Sequence, residues 1–296
     1  MLSPEAEAVL SQLRAEMGQP RPPLDVEREQ WEASMRGQRP VEGTLVSGVS
    51  LNGVPCEWVE RVDSDGLVVL LVHGGGYVSG SPRTHRLLAA KLAQAMDARV
   101  LVPDYALAPE HPFPAGLEDI VAVYAALAEQ GVAPSDIVLL GDSAGGGLAL
   151  AALLKLRDLG APMPRGAVLL SPWVDLTLSG ESHQTQAMHP NPARDNLARC
   201  AELYAGAAER REPLLSPAFA DLSGLPPLLI QAGGNEVLLD DSRMVAARAE
   251  TAGVPVRLSV APELWHVYHL SACPEADAAI AEISRFVQAL AAHNEE

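Results

Sequence analysis

The sequence predicts an α/β fold, with a mostly parallel central sheet covered by helices on both faces. Short aliphatic runs alternate with longer stretches of helical period, the pattern of βαβ units. Most of the strand-like runs are apolar, as expected of strands buried on both faces. With 296 residues, 48% of them hydrophobic, the chain can fill a large core.

Residues 1–40 read as an appendage to that body. Ser3 caps a helix with Pro4 at its first position, and Ala6, Val9, Leu10, Leu13 and Met17 recur at helical spacing until Gly18 stops the run. The prolines of Gln19 to Pro23 then break regular structure. A second short helix is expected over Asp25 to Met35, with Trp31 and Met35 on one face. Stripes of this kind must bury on something, so both segments are predicted to lie over the main body.

Residues 44–62 read as antiparallel strands. Asn52-Gly53 between two β-prone runs marks a hairpin, because both central positions of a type I′ turn need positive φ. Six further strands are predicted at Leu67–Val72, Val100–Pro103, Ile137–Leu140, Ala167–Leu170, Leu228–Gln231 and Val256–Val260. Helices are predicted near 83–97, 116–130, 144–159, 240–252 and 275–292. The long stretch between Ser171 and Pro227 carries no strand signal; it is polar over 179–196, holds Pro190 and Pro192, and turns helical over 195–209. Insertions of this length in a compact domain are usually functional. The predicted division is a cap made of residues 1–40 and 179–213 over a body of residues 41–178 and 214–296.

Composition narrows the partners. The formal charge of −17 argues against nucleic acid and anionic membranes. No aliphatic run approaches the length of a membrane span. The start, Met-Leu-Ser-Pro-Glu-Ala-Glu, has acidic residues where a signal peptide needs basic ones, so the expected location is cytoplasmic. Cys56, Cys200 and Cys273 are expected to be three separate thiols.

The strongest chemical signal is Gly141-Asp142-Ser143-Ala144-Gly145, a G-x-S-x-G motif between a strand and a helix. A nucleophile on so sharp a turn has a strained backbone, and side chains two residues to either side would clash with the helix or strand. The second signal is His73-Gly74-Gly75-Gly76, directly after Leu67–Val72. Backbone N–H groups there can stabilise an oxyanion because no side chain blocks approach. The N–H of Ala144 would be a further donor.

Ser143 needs a base, and the chain order of this motif is nucleophile, acid, histidine. His266 and His269, just past the strand Val256–Val260, follow the acid position, and His266 is favoured. Glu236, Asp240 and Asp241 all follow Leu228–Gln231 and qualify as the acid. Asp240 and Asp241 could instead serve the N-terminus of the next helix. Glu236 comes soonest after the strand.

From about residue 67 onward the chain resembles the hormone-sensitive-lipase-like bacterial carboxylesterases of the α/β-hydrolase fold. The pieces that carry the resemblance are His73-Gly-Gly-Gly-Tyr, the segment Asp104 to Ala115, Gly141-Asp-Ser-Ala-Gly-Gly, Ser171-Pro-Trp-Val-Asp-Leu and Leu225-Pro-Pro. It implies Ser143 as nucleophile, His266 as base and oxyanion donors at Gly75, Gly76 and Ala144, with His73, Gly74 and Asp142 supporting the motifs. The family has D-P-L at the acid position. Here Leu238 and Asp240 align its later anchors, which puts Glu236 on the acid and Val237 on the proline, with Asp240 the alternative. Tyr105-Ala106-Leu107 stands where the family commonly has Tyr-Arg-Leu, removing a structural contact.

The expected chemistry is hydrolysis of small neutral esters with short to medium acyl chains, with no metal or other cofactor. Homodimers through the sheet's last strand are also implied. The same triad could cleave amides, lactones or carbamates. A non-catalytic binding relative would typically lack His266. Tyr77, Trp173 and Trp265 each adjoin a motif, and part of this set is expected to line the pocket, together with the helix before Gly18, Trp31, Met35 and the insertion near 185–210.

Overall fold

The structure is a computed structural model that describes residues 2–16, 21–36, 41–62, 64, 66–186 and 193–292. Met17, Gly18, residues 37–40, Pro190 and Pro192 lie outside the described residues. Eight strands form one sheet: β1 Thr44–Leu51, β2 Val54–Arg61, β3 Val68–Val72, β4 Arg99–Pro103, β5 Ile137–Asp142, β6 Gly166–Leu170, β7 Leu228–Gly233 and β8 Val256–Ala261. Their order is β1-β2-β4-β3-β5-β6-β7-β8. β1 pairs antiparallel with β2, and β2 antiparallel with β4; every other neighbouring pair is parallel. The β1–β2 turn is the expected one, with Asn52 at φ 47° and Gly53 at φ 88°.

The helices are α1 Pro4–Ala15, α2 Leu24–Ser34, α3 Pro82–Met96, α4 Ala115–Glu129, α5 Ala144–Asp158, the short α6 Ser182–Thr185, α7 Arg194–Ala205, α8 Leu239–Thr251 and α9 Pro274–Ala292. None among the described residues is long and apolar enough to cross a membrane. α7 ends before residue 209, at Gly206, whose φ of 55° is a backbone setting that ends the helix.

The apolar run of the inner strand β3 has a direct structural reason. Side chains alternate between sheet faces, and both faces are covered. Val68, Leu70 and Val72 of β3 join the core under α4 and α5, whereas Val69 and Leu71 join the core under α3 and α9. Each fully buried Leu or Val contributes roughly 1.5–3 kcal/mol to folding. The parallel strands point their C-terminal ends at one edge of the sheet. Strand order reverses around β3, and loops from such a switch point are where α/β sheets bind ligands.

The N-terminal helices attach to this edge by few contacts. Ser3 caps α1 by accepting from the Ala6 N–H, and its own N–H and hydroxyl both donate to Glu275. Ala6 and Leu10 then bury beside Trp265, Tyr268 and Ala276. α2 buries no residue completely. It is pinned by Arg28, which donates to the carbonyls of Val78 and Ala108 at 2.6 and 2.7 Å and pairs with Glu110 at 2.8 Å. A guanidinium from α2 thus reaches the 105–110 loop, whose own position 106 is alanine.

Candidate active site

Ser143 sits between β5 and α5 with φ 53° and ψ −121°, a strained setting for a non-glycine residue. Two flanking hydrogen bonds hold it there: its N–H donates to Leu170 O at 2.8 Å, and Trp173 N–H donates to its carbonyl at 2.9 Å. The glycines of the motif are sterically required. A Cβ on Gly141 would collide with the backbone of Gly145, and one on Gly145 with the carbonyl of Val72 at the end of β3.

The loop after β3 is built onto the same turn. The Gly74 N–H donates to Asp142 Oδ1 at 3.0 Å, and Ser79 holds the Gly75 carbonyl through its N–H and hydroxyl. His73 stacks on Tyr105 with ring centroids 4.2 Å apart, and Tyr105 donates its phenolic proton to His73 O. Burial and the neighbouring His85 push the His73 pKa down to about 3, so the ring is neutral at ordinary pH. Gly75 and Gly76 face the cavity that Ser143 opens into. Ala144 is the first residue of α5, where a helix leaves its N–H without an intrahelical partner.

Asp142 points away from Ser143 chemistry and into this loop. Its carboxylate also meets His85 Nε2 at 3.1 Å, entirely inside the protein. Burial alone would raise the Asp142 pKa, but His85 and the Gly74 N–H outweigh it and leave the pKa below its ordinary value. His85 reaches this place because Ser81 and Pro82 start α3 one turn earlier, with a reciprocal Ser81–Thr84 cap.

His266 Nε2 lies 2.9 Å from Ser143 Oγ. Its Nδ1 faces Glu236 Oε1 at 3.7 Å. That gap exceeds a hydrogen bond, yet both atoms are buried and neither has another partner. The other oxygen, Oε2, accepts from Ser171 Oγ at 2.7 Å and from the Gly233 N–H at 3.0 Å. Two backbone bonds, Gly234 N–H to Ala261 O and Asn235 N–H to Leu264 O, tie the Glu236 loop to the chain leading to His266.

The other candidates go elsewhere. Asp240 accepts from the Ser182 N–H and pairs with Arg243. Asp241 is wholly buried, where it accepts from the N–H groups of Val174 and Asp175 and meets His183 at 3.3 Å; burial raises its pKa. His269 is also buried, with Nε2 3.0 Å from Gln231 Oε1, and desolvation drives its pKa to about 3. Sequence reasoning misses two side chains that carry the site, His85 and Ser171. His85 sits in a plain helical run. Ser171 opens the motif Ser171-Pro-Trp-Val-Asp-Leu, but nothing local says what its hydroxyl bonds.

Ser143 and His266 open into a cavity of about 420 Å³. Val9, Leu13, Trp31, Leu197, Cys200 and Trp265 form much of its apolar wall. Of the aromatic set beside the motifs, Trp265 lines the cavity and Tyr77 and Trp173 do not; Met35, expected with Trp31, does not reach it. Met35 follows the last residue of α2 and lines a separate groove with Val41, Val46 and Leu87. Trp173 is fully buried, and Tyr77 stacks on Tyr204 at 3.9 Å while donating to Trp173 O. All three cysteines are free and buried.

A serine on a strained strand-to-helix turn, a histidine at hydrogen-bond distance and a glycine loop beside them define an α/β-hydrolase-type enzyme. The α/β-hydrolase fold family model matches residues 69–270, and the chain belongs to that family. It is 48% identical over 227 residues to an acetyl-hydrolase of Streptomyces hygroscopicus, covering 75% of this chain and 74% of that protein. It is 39% identical over 251 residues to an esterase of Acinetobacter venetianus, covering 82% and 81%. Among solved structures, an esterase of the bacterial hormone-sensitive lipase family superposes with a TM-score of 0.94 at 44% identity, over 98% of this chain and 99% of that one. A hormone-sensitive lipase from a metagenome library gives 0.93 at 40% identity, over 98% and 99%.

Proposed function

We propose that the protein is a serine carboxylesterase acting on short- to medium-chain acyl esters through an acyl-enzyme. The observation that carries this is the 2.9 Å contact between His266 Nε2 and Ser143 Oγ on the wall of an apolar cavity that Gly75 and Gly76 also line. The names of the relatives, acetyl-hydrolase and esterase, support the same substrate class.

In this reading Ser143 Oγ attacks the ester carbonyl as His266 Nε2 takes its proton. The carbonyl oxygen becomes an oxyanion, received by the N–H groups of Gly75, Gly76 and Ala144; each such donor is worth about 3 kcal/mol. His266 returns the proton to the leaving alcohol. Water then attacks the acyl-enzyme by the same route and releases the acid. Glu236 is the acid of the triad: it orients the imidazole and stabilises the imidazolium, closing the 3.7 Å gap as charge develops on Nδ1. Asp142 supports the oxyanion loop through Gly74. Residues 1–40 and 179–213 act as a cap, with Val9, Leu13, Trp31, Leu197 and Cys200 bounding the acyl or alcohol group.

The test is a p-nitrophenyl ester series from acetate to decanoate on the purified protein, with Ser143→Ala as control. Activity is expected to peak at short to medium chains and to vanish in the variant. Wild-type rates in Ser143→Ala end the reading. Anilides and lactones of matched acyl length run beside it, and preference for either over esters replaces the ester assignment.

A further inference from the structure

Ser171 lies where the two halves of the proposed triad meet. It is fully buried at the end of β6, with φ 47°, unusual for a non-glycine residue. Its N–H donates to Gln231 O at 2.7 Å, locking it to the end of β7. Its hydroxyl accepts from the Val267 N–H at 3.1 Å and lies 2.7 Å from Glu236 Oε2. The direction of these bonds is forced. A backbone N–H can only donate, so the single hydroxyl proton is free for the carboxylate, which accepts it.

The consequence falls on Glu236 and His266 together. Oε2 is held by Ser171 and the Gly233 N–H, which leaves Oε1 as the oxygen facing His266 Nδ1. The same hydroxyl anchors Val267, the residue next to His266, itself at φ 47°. Strained backbone at Ser143, Ser171 and Val267 clusters around this one point, as strain does at functional sites.

We propose that Ser171 is a positioning residue for ester hydrolysis: its hydroxyl sets which oxygen of Glu236 meets His266. This rests on the triad reading above. Because Ser171 acts through Glu236, its removal should matter only while Glu236 is present.

The experiment is a double-mutant cycle of Ser171→Ala and Glu236→Ala, with Ser171→Gly beside it. Steady-state p-nitrophenyl butyrate hydrolysis and the rate of Ser143 labelling by a fluorophosphonate are both measured. Ser171→Ala should lower kcat roughly tenfold with KM changed by less than about twofold. Ser171→Gly should lose as much, although glycine is at ease at positive φ, so the loss does not follow backbone strain. In the Glu236→Ala background, Ser171→Ala should add less than about twofold. Wild-type kcat in a Ser171→Ala or Ser171→Gly protein with native melting behaviour overturns the proposal. So do losses that multiply in the double variant. If the wild type labels at Ser143 but hydrolyses no ester, the esterase reading falls and the cycle is scored on labelling rate. No labelling of the wild type overturns both.

Discussion

The loops at the C-terminal edge of the sheet and the helices that roof them are held by different physics. The edge loops are bound backbone to backbone. Ser143 is clasped by Leu170 and Trp173, Ser171 by Gln231, and the Glu236 loop by Ala261 and Leu264. Two of these residues, Ser143 and Ser171, hold positive φ values that only dense surroundings sustain. The N-terminal helices of the roof are attached through side chains: α1 by the Ser3 N–H and hydroxyl to the Glu275 carboxylate, α2 by the Arg28 guanidinium to two carbonyls. Under the proposed function the groups that move protons sit in the over-determined part, whereas much of the apolar wall of the cavity, Val9, Leu13, Trp31, Leu197 and Cys200, lies on helices.

The largest expected effect tests the rigid part. Ser143→Ala should lower kcat by about 10⁴-fold or more with an unchanged melting temperature, read from p-nitrophenyl butyrate hydrolysis and calorimetry. Next, Glu236→Ala should lower kcat by about 10²–10³-fold, whereas Asp240→Asn should stay within about threefold. A larger loss for Asp240→Asn would move the acid away from the residue that faces His266 at 3.7 Å.

The roof should respond otherwise. Arg28→Ala removes both carbonyl anchors of α2. It should change KM and chain-length preference several-fold, leave kcat on short esters within about threefold and speed proteolysis within residues 24–34. A kcat collapse in Arg28→Ala would erase the distinction between the two regions.

The smallest effect is on stability against pH. His73 and His269 are buried with pKa values pushed down to about 3 from the ordinary 6.5. The unfolded chain therefore binds more protons between those values. Stability should hold above pH 6.5 and fall progressively as pH drops toward 3. His269→Gln can keep a hydrogen bond to Gln231 and should flatten the fall in melting temperature between pH 6.5 and 4.5. An unchanged slope would deny His269 its part in acid sensitivity.

Much of this arrangement is legible in the sequence. The inner strands are legible because burial on both faces favours apolar residues, as in Val68–Val72. The elbow and the glycine loop are legible because close backbone approach admits only glycine at Gly141, Gly145 and Gly75. Residues that depend on distant partners are not. Met35 keeps helical spacing with Trp31, but α2 ends at Ser34 and the side chain turns to another groove. Trp173 and Tyr77 adjoin motifs and yet serve as packing beneath them. His85 looks like any helical histidine until Asp142 arrives from β5.

Periodicity and steric limits within a few residues, which local composition encodes, are enough to read the order of elements, the turn that exposes Ser143 and the short list of histidines and acids near it. That Glu236 and not Asp240 faces His266, and that Ser171 joins them, emerges from tertiary contacts alone, because these groups are far apart along the chain. Hydrogen bonds spanning 65, 96 and 123 residues join Ser171 to Glu236, Val267 to Ser171 and His266 to Ser143. Such bonds form only once the parallel strands have brought their ends to one edge.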